Sequence, residues 1–173
     1  MKSNIALIGF MGTGKSAAGR ALAGKTGKTL VEVDALIEAR AGKSIKRIFA
    51  EEGEIAFREY EIAVIKELSP RKNLVLACGG GVVLNKINID RLKQESMVIW
   101  LTASTEAIMQ RLKTSGDTRP LMPGKSNEND AQSLLLFRQP FYERAADLQV
   151  DTSGLSVAQV VENILKKLES YAD

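Results

Sequence analysis

Five short apolar runs punctuate the chain, at Ile5 to Ile8, Leu30 to Val33, Leu74 to Cys78, Met97 to Leu101 and Leu148 to Val150. Each is of strand length. Leu74 to Cys78 is apolar throughout rather than alternating, the pattern of a parallel strand covered on both faces. Helical spacing fills the intervals. In the last segment Val157, Val160, Val161, Ile164, Leu165 and Leu168 recur at i, i+3, i+4 and i+7, so one face is buried, and Ser156 with Gln159 makes a capping box at its start. Strands alternating with helices predict an α/β fold, a parallel sheet with helices on its faces.

Three stretches depart from plain alternation. Residues 34–73 are more than one crossover helix requires, and their pattern predicts helices over Asp34 to Ala41, Ile45 to Glu51 and Glu54 to Leu68 as a small subdomain. Gly79-Gly80-Gly81 follows the third strand directly. Thr114 to Asp130 is polar, contains Gly116, Pro120, Pro123 and Gly124, and is too long for a simple connection; it reads as a mobile lid.

With 173 residues, 45% of them hydrophobic and 26% charged, the chain has the size and composition of one globular domain spanning 1–173. No apolar run approaches the roughly 20 residues of a membrane span. The start also lacks a secretory pattern, so a cytoplasmic protein is expected. The net charge of +3 comes from 24 Lys and Arg residues spread along the chain, and aromatics make up only 5%. Without a basic block or stacking platforms, a small anionic ligand suits the surplus better than nucleic acid. There is no His and a single Cys, Cys78, which excludes a zinc site built from those residues and any imidazole base. A general base must then be a carboxylate or something rarer. Cys78 lies in an apolar run and reads as a buried, inert thiol.

Candidate chemistry starts after the first strand. Gly9-Phe10-Met11-Gly12-Thr13-Gly14-Lys15-Ser16 satisfies GxxxxGK[ST] and leads into a helical run, Ser16 to Lys25. Glycines let backbone amides curl around phosphate oxygens, the helix N-terminus adds positive potential, Lys15 reaches the β- and γ-phosphates, and the Ser16 hydroxyl ligates magnesium. ATP with Mg2+ is the implied pair. A GTPase is disfavoured: in Asn85-Lys86-Ile87-Asn88 an Asn stands where NKxD has its base-reading carboxylate, and no DxxG switch is present.

Glu32 and Asp34 fall at the carboxyl end of the second strand, the edge where open α/β sheets bind ligands. Asp34 could serve as the base for an acceptor hydroxyl, or merely cap the helix that follows. Arg58 has Glu54 four residues before it and Glu61 three after, a spacing that surface ion pairs would also explain. Arg119 lies in the lid, where a guanidinium could close over a transferring phosphoryl group. Arg138, beside Phe137, Phe141 and Tyr142, starts the next segment and could be packing or a carboxylate fork.

Taken together these residues resemble shikimate kinase. The matching string runs through the glycine loop, Asp34, Ile37-Glu38, Gly42, Ser44-Ile45, Ile48-Phe49, Gly53-Glu54, Phe57-Arg58, Glu61, Gly79-Gly80-Gly81, Arg119-Pro120-Leu121, Arg138 with Tyr142, and Val150-Asp151-Thr152. The resemblance implies a three-layer P-loop kinase fold with a five-stranded parallel sheet in the order 2-3-1-4-5, a shikimate-binding segment near 34–69 and a lid near 114–130. It also implies ATP-dependent phosphorylation of the 3-hydroxyl of shikimate, in aromatic amino-acid biosynthesis. By that likeness Asp34, Lys15 and Arg119 are catalytic, and Gly12, Thr13, Gly14, Lys15, Ser16, Ala17 and Arg119 hold ATP. Arg58 and Arg138 clamp the substrate carboxylate, Gly79, Gly80 and Gly81 border the ring, and Phe49 with Phe57 walls the pocket. Ser16 binds the metal, and Glu32, where the family commonly has Asp, reaches it through water. The loop around Ser153 to Leu155 lies near the adenine. The implied partner is small-molecule shikimate, with no nucleic acid and no membrane, and a monomer is expected. A gluconate-type or nucleotide-type kinase on the same scaffold, or a nucleotide-binding regulatory module, are the competing readings.

Overall fold

The strands β1 (Asn4–Ile8), β2 (Thr29–Glu32), β3 (Leu74–Ala77), β4 (Ser96–Thr102) and β5 (Leu148–Asp151) form one sheet in the order β2-β3-β1-β4-β5. Every pairing is parallel, with Ile5 opposite both Val75 and Met97. The structure, a computed structural model, describes residues 2–115 and 128–172. Around the sheet lie α1 (Lys15–Thr26), α2 (Val33–Ala41), α3 (Ile45–Glu51), α4 (Gly53–Leu68), α5 (Lys86–Glu95), α6 (Thr105–Ser115), α7 (Glu128–Ala145) and α8 (Val157–Ala172), with a 3-10 turn at Val82–Leu84.

The continuous apolar runs have a direct cause. Side chains alternate across a strand, and both faces here are covered. Ala6, Ile8, Leu76, Val98 and Trp100 pack into one core with residues of α2, α4, α5 and α7. Their neighbours Ile5, Leu7, Val75, Ile99 and Leu101 pack into a second core with α1 and α8. The three helices expected between the second and third strands form, α4 packing on both α2 and α3. The predicted capping box is also present: Gln159 N–H donates to Ser156 Oγ at 3.3 Å, and Ser156 N–H donates to Gln159 Oε1 at 2.9 Å.

Some boundaries differ from expectation. Val33 belongs to α2 rather than to β2, and β2 is a partly exposed edge strand. The polar stretch assigned as a lid is helical at both ends, since α6 runs to Ser115 and α7 begins at Glu128. Its remainder, with Arg119, lies outside the described residues. Arg138 does not start a segment but sits in the middle of α7, which continues through Pro140. Among the described residues no helix is long and apolar enough to cross a membrane.

From β1 the chain winds one way to β2 and β3 and the other way to β4 and β5. The carboxyl end of β1 therefore sits at the switch point where such sheets open a crevice for ligands.

Candidate active site

The loop leaving β1 is shaped by its glycines. Gly9 (φ +146°) passes so close to Leu101 that a Cβ would collide with that carbonyl, while Gly12 (φ +75°) and Gly14 (φ +90°) take left-handed conformations. Thr13 is buried and donates its hydroxyl to the Phe10 carbonyl at 2.8 Å. Lys15 opens α1, and its ammonium donates to the Gly9 and Phe10 carbonyls, each at 2.8 Å. The loop thus joins a lysine to a helix N-terminus, the arrangement that grips phosphate through amides and a mobile cation. Ser16 and Ala17 follow on the exposed side of the first turn.

Across from that turn, Ser16 Oγ donates to Glu32 Oε2 at 3.0 Å. Glu32 occupies the N-cap position of α2 without making a side-chain cap bond, so its carboxylate serves Ser16 instead. Asp34 lies inside the helix, which removes the reading of it as the cap. A hydroxyl and a carboxylate side by side are hard oxygen donors that suit magnesium. Among the described residues no group of three or more His, Cys, Asp or Glu could hold a metal by itself. The donor set therefore fits an ion that takes its other ligands from phosphate and water.

The glycine triplet after β3 is where the charged residues meet. None of its three glycines has a positive φ, so what they provide is space. A Cβ on Gly79 would come within 2.7 Å of Asp34 Oδ1, and one on Gly81 would collide with the Arg58 guanidinium. Gly80 lies between them; its Cβ position is 3.5 Å from Arg138 Nη1 and 3.6 Å from the Gly9 carbonyl of the phosphate loop. Asp34, Arg58 and Arg138 thus come from α2, α4 and α7 to one backbone segment that touches the lysine loop.

Each arginine is supported. Arg58 pairs with Glu61 at 3.0 Å and Glu54 at 3.3 Å, and its guanidinium stacks on Phe57, whose ring lies 4.8 Å from that of Phe49. Arg138 is buried, and its Nε has no hydrogen-bond partner among the described residues. One turn on, Tyr142 donates its hydroxyl to the Gly80 carbonyl at 2.5 Å and stacks on Trp100 with ring centroids 5.7 Å apart. Burial pushes the Tyr142 hydroxyl up to about 12, which keeps it a neutral donor.

The surface ion pair inferred around Arg58 needs correction. Glu54 is exposed, but Glu61 has 0% of its side chain accessible. Burial pushes its carboxyl up to about 7; Arg58 opposes this shift and the charge of Asp34 adds to it. Cys78 is buried as expected, and burial drives its thiol far above the ordinary range, so it is no nucleophile. Asn88, which disfavoured a guanine site, is a fully buried residue whose side chain reaches the Val82 carbonyl.

One residue at the site, Arg111, carried no sequence signal for it, and another, Thr152, stood in the family string without a role. Arg111, on α6, donates from Nη1 to the Gly12 carbonyl at 3.1 Å and to Thr152 Oγ1 at 2.9 Å. Thr152, just beyond β5, is in turn 3.0 Å from the Thr13 carbonyl. Only side chains brought together from distant parts of the chain make that connection.

The shikimate kinase family model matches residues 11–169. The shikimate kinase of Pelotomaculum thermopropionicum is 43% identical over 168 residues, covering 97% of this chain and 96% of that protein. That of Thermodesulfovibrio yellowstonii is 44% identical over 170 residues, covering 98% and 97%. Among solved structures, the Acinetobacter baumannii shikimate kinase in complex with shikimate superposes with a TM-score of 0.92 at 36% identity, over 99% of this chain and 95% of that one. The match runs through the lysine loop, the helical insert and the glycine triplet alike, and the chain belongs to the shikimate kinase family.

Proposed function

We propose that the glycine triplet and the lysine loop beside it carry out this family's reaction, transfer of the γ-phosphoryl group of ATP to the 3-hydroxyl of shikimate. The products are shikimate 3-phosphate and ADP, within aromatic amino-acid biosynthesis. One observation carries the assignment of roles: Asp34, Arg58 and Arg138 converge on Gly79 to Gly81, and Gly80 lies against the phosphate loop. An acceptor held there has its hydroxyl next to the phosphate it receives.

The substrate carboxylate suits the two guanidinium groups, which bind planar anions through paired N–H donors. Arg138 also offers a buried Nε–H that no group among the described residues satisfies. Phe49 and Phe57 give the apolar wall for a ring, and the Gly80 backbone borders it. As the hydroxyl oxygen bonds to the γ-phosphorus and the bond to the ADP oxygen breaks, the hydroxyl proton passes to Asp34, the carboxylate nearest the triplet. Amides at Gly12 to Ala17 and the Lys15 ammonium hold the phosphates, with negative charge favoured by the N-terminus of α1. Ser16 directly, and Glu32 through water, would hold Mg2+, which neutralises phosphate charge when bound. The scattered basic residues and scarce aromatics support an enzyme acting on a small anionic molecule rather than on nucleic acid.

The test is ADP release with shikimate, quinate, gluconate or nucleoside monophosphates as acceptor. Shikimate is expected to give the fastest release. Release with shikimate no faster than in buffer would remove the assignment.

A further inference from the structure

The glycines that let the phosphate loop curl also leave it free to do otherwise. Gly14 tolerates either sign of φ, and a Cβ built there would meet nothing within 4 Å. Packing at Gly14 therefore does not select the orientation of the peptide between Thr13 and Gly14.

Hydrogen bonds from outside the loop do. Thr152 is 2% exposed, and its backbone N–H extends the β5 ladder by donating to the Thr102 carbonyl at 2.8 Å. Its hydroxyl lies 3.0 Å from the Thr13 carbonyl and 3.0 Å from that of Thr102. Arg111 Nη1 donates to the same hydroxyl, and Nη2 donates to the Thr152 carbonyl at 2.7 Å. A hydroxyl has one proton and two lone pairs, and a guanidinium can only donate. Arg111 therefore occupies a lone pair and leaves the proton for a carbonyl. The Thr102 carbonyl already receives the Thr152 amide, whereas among the described residues the Thr13 carbonyl has the Thr152 hydroxyl as its partner. Arg111 holds the preceding carbonyl, Gly12, at the same time.

In a planar trans peptide the C=O and the next N–H point in opposite directions. A Thr13 carbonyl held outward by Thr152 aims the Gly14 N–H inward, to the concave side that cradles phosphate. We propose that Thr152, backed by Arg111, is a positioning residue for the phosphate loop, its hydroxyl fixing the Thr13–Gly14 peptide so that the Gly14 amide faces the β-phosphate. This rests on reading the loop as the ATP site.

The experiment measures ADP and shikimate affinities by calorimetry, and KM for ATP and shikimate, for the wild type, Thr152→Val and Thr152→Ser. Val keeps the shape and removes the proton; Ser keeps the hydroxyl. The expected result is an ADP Kd and ATP KM raised about tenfold or more in the Val variant, the loss of a hydrogen bond to a charged group. Shikimate values should stay within twofold, and Ser should restore nucleotide binding. Arg111→Met removes the other half of the bracket, should shift ADP in the same direction, and replaces the Val variant if that one does not fold. ADP binding within twofold of wild type in a folded variant, or equal losses for ADP and shikimate, would overturn the positioning role. Failure of the wild type to bind ADP would instead overturn the reading of the site.

Discussion

Arg58 shows how much the environment of one residue decides. Its guanidinium is held by Glu61 and Glu54 on its own helix, lies over Phe57 and fills the space beside Gly81. In the proposed role, removing it leaves a substrate carboxylate with half its fork, and it leaves Glu61 as a buried carboxyl without its cation. Arg58→Ala is therefore expected to weaken shikimate by roughly 2 to 5 kcal/mol while changing ATP far less. Parallel measurement of the two affinities checks this, and equal losses contradict it. The spacing of Glu54, Arg58 and Glu61 was legible in the sequence, but the burial of Glu61 was not. A residue three positions along a helix shares a face with its neighbour whether that face meets water or the sheet. The partners of Asp34 were equally hidden. A helix cap and a site carboxylate have the same residue type at the same strand end, and only the backbone of α2, which places Glu32 at the cap, separates them.

At the scale of elements, the apolar runs and the helical periods located every strand and most helices, because both are properties of consecutive residues. Pro140 misled. A proline usually ends a helix, since its ring displaces the carbonyl four residues back and it donates no N–H. Here α7 continues through it, and that continuity places Arg138 and Tyr142 one turn apart on the face toward Gly80. The glycine triplet was visible as a string, but its purpose was not: the glycines make room for Asp34 and Arg58, and a left-handed backbone plays no part. Gly81→Ala should accordingly displace the Arg58 guanidinium and raise the shikimate KM at least severalfold, with the ATP KM nearly unchanged. Steady-state kinetics with each substrate varied in turn gives the answer, and a variant with wild-type constants would mean that Arg58 moves aside without consequence.

For the whole molecule, the division into two cores on opposite sheet faces follows from the strand sequences. The cluster of buried charge beneath the triplet does not, because its members come from three helices. That cluster makes stability depend on pH in a definite direction. The Glu61 carboxyl rises from 4.5 to about 7 through burial, with Asp34 adding to the shift and Arg58 and Arg138 opposing it. The folded state therefore keeps a proton that the unfolded chain has already released. This contribution is complete below about pH 4.5 and is lost as pH climbs toward 7, where it levels off. Urea unfolding of the wild type and Glu61→Gln at several pH values should show the wild type losing stability relative to the variant across that window; parallel curves would mean that Glu61 titrates normally. The stacked pair beside the triplet has a different use. Trp100 is the only tryptophan in the chain, and it lies against the ring whose hydroxyl grips Gly80. The protein thus carries a single tryptophan one contact away from the proposed acceptor pocket, and its emission, excited apart from the three tyrosines, offers a label-free optical signal for events in that pocket.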